Sequence, residues 1–269
     1  MIAAARLRKG STNSAKGAHR FVADALITAK AAGATGTLVL RADSAFYSSD
    51  VIAAVGRRKA CFSITARLLP PVRKAIEAIA ADAWTPIKYT NAVYDETAQA
   101  WISDAEVAEI GFTAFTSLAK GKQVSARLIV RRVPDVNPHN QSPQFTVYRY
   151  HAVFTNSPLS MLGAESAHRG HAIVEQAIAD LKNGPLAHLP SGSFAANSAW
   201  LVCAAMAFDL TRTAGALASV FHANATTGTI RAQLITVPGR LARSARQLTR
   251  HLPTGWPWET AWEQLATAA

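Results

Sequence analysis

Apolar residues recur at helical spacing between Ala15 and Ala32, where Phe21, Val22, Ala25, Leu26 and Ala29 form one stripe that Gly33 and Gly36 bring to an end. The period then changes. Thr37 to Asp43 is a short β-type run, apolar almost to its final carboxylate, as expected of a buried central strand that delivers a polar residue at its C-terminal edge. Ser44, Ser48, Ser49 and Asp50 are candidate N-caps for a helix through Val51, Ile52 and Val55. Cys61 to Thr65 predicts a second strand, and Pro70 and Pro71 open a helix through Ile76 and Ile79. This alternation predicts an α/β core, a mixed or parallel sheet with flanking helices.

The pattern shifts near Trp84. From there to Phe154 the runs are β-type: Trp101-Ile102, Gln123 to Val133 with Val124, Ala126, Leu128 and Val130 alternating, and Phe145 to Phe154. Pro134 to Asn140 reads as a loop. The stretch predicts a mostly antiparallel β insertion that interrupts the α/β framework. After a turn at Thr155 to Pro158, Glu165 to Lys182 predicts one long amphipathic helix ended by Asn183-Gly184-Pro185. Ala195 to about Ala218 predicts a helix apolar on most sides and therefore buried. Thr229 to Val237 looks strand-like, and a basic helix follows Pro238-Gly239. These shifts divide the chain at 1–83, 84–154, 155–222 and 223–269.

Composition narrows the class. In 269 residues, 28 Lys and Arg face 17 Asp and Glu, a formal charge of +11, which favours a polyanionic partner, nucleic acid first among them. Cys61 and Cys203 make no CxxC pair, so neither a disulfide framework nor a structural zinc site is expected. The apolar run Ala199 to Phe208 falls short of the roughly 20 residues a bilayer span needs. No signal-like leader follows Met1, so a soluble, cytoplasmic, nucleoid-associated protein without membrane contact is the expectation.

The predicted helix around Glu175 carries the candidate chemistry. At 100° per residue His168, His171, Glu175 and Lys182 fall within roughly 60° of one another, opposite Ile173, Val174, Ala177, Ile178 and Leu181. Such a stripe alone reads more readily as a solvated charged face; its pairing with a strand-end Asp43 gives it weight. The run His168 to Gly184 resembles the signature of DDE insertion-sequence transposases, specifically the IS-thirteen-eighty branch. In the wider group that signature is Tyr, two residues, Arg, three residues, Glu, six residues, Lys. Glu175 and Lys182 keep its final spacing, while His168 and His171 stand at the tyrosine and arginine positions. Arg41 to Tyr47, Pro185 to Gly192 and Leu234 to Arg240 extend the resemblance, which runs from about Arg6 to Trp258.

The resemblance implies an RNase H-like fold with a β-rich insertion between the second Asp and the Glu. It implies that Asp43 and Glu175 are the second and third carboxylates holding two Mg²⁺ (or Mn²⁺) ions for in-line attack on phosphate. It implies further that duplex DNA is the partner, with His168, His171 and Lys182 beside it, and, by analogy, that the protein is a homodimer. In this family the first Asp lies upstream of the stretch matching Arg6 to Gly10, hence before Met1; Asp24 and Asp50, in predicted helices, are no substitutes. The expectation is therefore a catalytic core that is inactive as written and whose sheet lacks its first strands, leaving an exposed edge. A non-catalytic protein occupying transposon ends, and a structure-selective nuclease on the same fold, are the rival readings.

Arg240, Arg243, Arg246 and Arg250, at steps of three, three and four, would share one helical face, either tracking DNA phosphates or simply solvated. Arg6, Arg8, Lys9, Lys16 and Arg20 carry the same two readings. Trp256 and Trp258 suit core packing better than base stacking. His139 and His188 lack metal-ligand partners at useful spacing, Ser44 has no paired His, and no P-loop or dinucleotide fingerprint is present.

Overall fold

The computed structural model describes residues 1–12, 15–87, 94–95, 100–101, 105–134, 147–170 and 172–268. It divides into two compact units, Gly10–His171 and a second formed by Met1–Lys9 with Ala172–Ala269.

In the first unit the apolar stripe of α1 (Ala18–Ala31) buries Val22 and Leu26, and α2 (Ser49–Arg57) buries Val51, Ile52 and Val55 behind an N-cap in which Ser48 Oγ accepts from Val51 N at 3.4 Å. Between them runs β1 (Val39–Ala42), parallel to β2 (Cys61–Thr65) with Ala42 opposite Ile64. Helix α3 (Pro70–Glu77) follows, started by its prolines. Then come β3 (Thr85–Ile87), the short β4 (Tyr94–Asp95) and β5 (Ala100–Trp101), which pair with each other, and the long strands β6 (Ala105–Ala114), β7 (Val124–Pro134) and β8 (Tyr148–Thr155). Ile102 and residues 135–146, the expected loop and the start of the last β-type run, lie outside the described residues.

The antiparallel strands do not stand apart from the α/β core. They extend one mixed six-stranded sheet of order β1-β2-β8-β7-β6-β3, with β2 antiparallel to β8. β8, β7 and β6 form an antiparallel meander. The predicted alternation holds: Val124, Ala126, Leu128 and Val130 share the face that packs with the α1, α2 and α3 residues, around a Phe154 ring edge-on to Phe112 and Tyr47. The intervening residue Ile129 turns to the other face with Val107 and Val153, where Ala164 of α4 (Met161–Arg169) covers them.

The expected single helix from Glu165 to Lys182 is two helices, α4 and α5 (Ala172–Lys182), and this corrects the one-face arrangement of His168, His171, Glu175 and Lys182. Gly170 closes α4: its φ of −61° and ψ of 40° leave the helical region, and its amide bonds Ser166 O. Glycine is a poor helix former, and α4 has already committed its polar side chains to the sheet.

The regular elements of the second unit, among the described residues, are helices apart from one hairpin. Helix α6 (Phe194–Ala218) forms where expected, capped by Ser193, but is not buried all round: Trp200, Val202, Met206, Leu210 and Leu217 are exposed. Only one side of α6 meets α7 (Val220–Asn224), α8 (Thr227–Ile230) and α9 (Glu259–Ala268), which is why the rest stays open within its unit. By length and composition alone α6 could also cross a membrane, a test that core helices of soluble proteins pass as well.

Two expectations here are overturned. Thr229 to Val237 is not a strand: Thr226 Oγ1 caps α8, a π-helical turn spans Arg231–Ile235, and Ile230 and Leu234, four apart, bury together with Ala218 and Ala261. The basic segment is not a helix but the hairpin of β9 (Arg240–Ser244) and β10 (Gln247–His251). Its two-residue turn puts Ala245 (φ 47°) and Arg246 (φ 69°) in the left-handed region that such hairpin turns require. Trp258 stacks on Phe221 with ring centroids 5.2 Å apart, and Trp258 and Trp262 pack on the Ile230 cluster, as core tryptophans.

Candidate functional site

β1 buries Ala42 and then breaks, so the next residue emerges at the strand's C-terminal edge. Asp43 is exposed there in extended conformation, and its Oδ1 accepts from Ala45 N at 2.9 Å, capping the 3-10 turn Ser44–Phe46. No described residue engages its Oδ2. The turn is tied down by Arg67, whose Nε donates to Ser44 O at 2.9 Å, and by Tyr47, whose ring lies 5.0 Å from that of Phe115. Burial pushes the Tyr47 phenol up to about 12.

Two residues before Asp43, Arg41 reaches α4 and donates from Nη1 to Ala167 O, a cation on the negative end of a helix. α4 is fastened to the sheet at two further points. His168 Nδ1 lies 2.8 Å from Ser63 Oγ and Nε2 3.1 Å from Thr65 Oγ1, so both ring nitrogens are engaged on β2. The imidazole expected beside DNA here lies over β2, on the last turn of α4. Glu165, buried, meets Arg131 at 3.5 Å and Arg169 at 3.2 Å. Beside this group, on β8, partial burial and the guanidiniums of Arg131 and Arg149 hold His151 below its ordinary value, against the pull of Glu165. None of Ser63, Thr65, Glu165 and Arg131 stood out in the sequence. The signals were present as polar alternation in β2 and a Glu165–Arg169 pair at i, i+4.

His171 lies outside the described residues. Glu175 and Lys182 lie in the second unit on α5, both exposed, two turns apart on one helix. Asp180 of the same helix accepts from Thr227 N at 2.9 Å and Thr227 Oγ1 at 2.8 Å, which fixes α5 to α8. Arg240 and Arg243 on β9 are exposed but, three residues apart on a strand, point to opposite faces; Arg246 is exposed in the turn, and Arg250 stands opposite Leu241 in the register.

Carboxylate oxygens such as the free Oδ2 of Asp43 are the donor type that Mg²⁺ and Mn²⁺ prefer. Among the described residues no three His, Cys, Asp or Glu side chains gather to hold a metal ion; Asp43 belongs to one unit and Glu175 to the other.

A family model described as "Transposase DDE domain group 1" matches residues 1–268. No curated protein matches the chain.

Proposed function

Because the chain belongs to the transposase DDE domain family, group 1, we propose that it is a catalytic core of the IS-thirteen-eighty type that cuts and joins DNA at the ends of an insertion sequence. Transposase function, DNA as the partner and divalent metals as the usual cofactor come with the family. The observation that carries the reading is the exposed Asp43 carboxylate at the end of a strand of the mixed sheet. Asp43 and Glu175 are the residues that would hold Mg²⁺ or Mn²⁺, which, when bound, supplies a Lewis acid at the phosphate and an activated attacking oxygen.

The chain's own contribution is positional. Arg67 and the Ser44–Phe46 turn fix the direction of Asp43. Glu175 leads Lys182 by two helical turns, a spacing that lets a carboxylate act at a phosphate while the ammonium holds the DNA backbone. The arginines of the hairpin, Arg240, Arg243, Arg246 and Arg250, offer cations to further phosphates, from two faces of the ribbon rather than one. His168 serves by fixing α4. A homodimer on paired ends accords with this chemistry.

A second reading, resting on the charge of +11 alone, is a DNA-binding protein that occupies transposon ends without cutting. Purified protein incubated with labelled end-sequence duplex and Mg²⁺ or Mn²⁺ separates the two. For the enzyme, Glu175→Gln and Asp43→Asn abolish strand cleavage, by at least about a hundredfold, and leave duplex affinity within about threefold. Binding without cleavage in either metal establishes the second reading, and cleavage that survives both substitutions sinks the assignment of these carboxylates.

A further inference from the structure

We propose that the groove between α1 and α2 is a seat for the phosphodiester backbone of duplex DNA, distinct from Asp43. The groove, about 520 Å³, is lined by His19, Arg20, Ala23, Ala54, Arg57 and Arg58. Its walls are three guanidiniums and an imidazole, its apolar lining is two alanine methyls that leave room for a ligand, and no carboxylate lines it. Among the described residues no acid pairs with Arg20, Arg57 or Arg58. Arg57 and Arg58 stand at the end of α2, where cations commonly serve the helix carbonyls. At this end a different side chain, Lys30, donates from Nζ to Arg58 O at 3.1 Å. Three exposed guanidiniums converging on one concavity without counter-charge repel one another, and that arrangement is relieved by an anion. Guanidinium forks match phosphate oxygens in pairs, and a row of them on helix surfaces follows a backbone rather than enclosing a single ion.

The proposal rests on DNA being the partner, and its test keeps the two apart. Fluorescence anisotropy of a labelled duplex is recorded over a salt series for the full chain and for the triple variant Arg20→Ala, Arg57→Ala, Arg58→Ala. All three residues are exposed, so the urea midpoint is expected to hold. The expected result is a loss of roughly tenfold or more in affinity and a salt slope shallower by about two to three, near 0.9 per phosphate contact removed. Lysine at the same three positions is expected to restore most of the slope. An unchanged slope and affinity in a triple variant with an unchanged midpoint overturns the groove while leaving DNA as partner. Failure of the unaltered chain to bind duplex at low salt overturns the DNA reading itself. If inorganic phosphate titrated by calorimetry saturates the native groove while the duplex slope is unaffected by the substitutions, the site is a small-anion site and the proposal fails.

Discussion

At Gly215 the helix α6 has no room for a methyl group: a Cβ built there lies 2.6 Å from Ile230 Cδ1 and 2.7 Å from His222 O. The first contact could be relieved by rotation of Ile230, but Ile230 is fully buried, and the second is with backbone. Gly215→Ala gains about 1 kcal/mol of helix propensity and meets an overpacking cost of typically 1–3 kcal/mol; the immovable carbonyl puts the balance on the side of destabilisation. A lowered urea midpoint is the expected outcome, and an unchanged or raised midpoint contradicts this account of the packing. Single residues were unevenly legible. The strand-end position of Asp43 could be read from the sequence because the apolar run of β1 closes there, while the cap it makes on the Ser44–Phe46 turn was not foreseen. The anchoring of His168 could not be read, since Ser63 and Thr65 lie 105 and 103 residues away along the chain, beyond any local pattern.

Elements were legible where one periodicity ruled. α1, α2, β1 and β2 each bury one apolar set and appear as expected. β6 was missed because Glu106 and Glu109 interrupt its apolar positions; both are satisfied only across the strand pair, by Arg132 and Arg127. The basic hairpin was read as a helix because arginines at steps of three and four suit a helical face, while the turn that decides otherwise consists of Ala245 and Arg246, neither a usual left-handed residue. That gives a prediction at the scale of the element: Ala245→Asn relieves one strained position and stabilises the hairpin by up to about 1 kcal/mol, seen as slower amide exchange in β9 and β10. Along β7 and β8, His151 supplies another. Its value in the fold lies below the ordinary 6.5 of the unfolded chain, so the unfolded chain takes up protons first as pH falls, and stability is complete above that value and lost below it. Thermal unfolding at about pH 7.5 and about pH 5.5 is expected to show the decline, reduced in His151→Gln; an equal decline in that variant assigns it elsewhere.

Across the whole molecule, the charge of +11 and the family assignment agree on a polyanionic substrate. The sheet that carries Asp43 unites chain segments of very different separation. Thr113 and Ser125, facing each other on β6 and β7, are 12 residues apart, whereas Thr155 reaches Phe62 O across 93. Closing the longer loop costs about 2 kcal/mol more in chain entropy, so the order of assembly is written into the topology: the β6–β7 ribbon forms early and the β2–β8 seam last. Pulsed hydrogen exchange during refolding is expected to protect β6 and β7 amides before those of β2, and the reverse order refutes it. If the seam is completed after the transition state, the β1–β2 pair that delivers Asp43 joins the meander last, so weakening β2–β8 is expected to speed unfolding and leave refolding almost untouched.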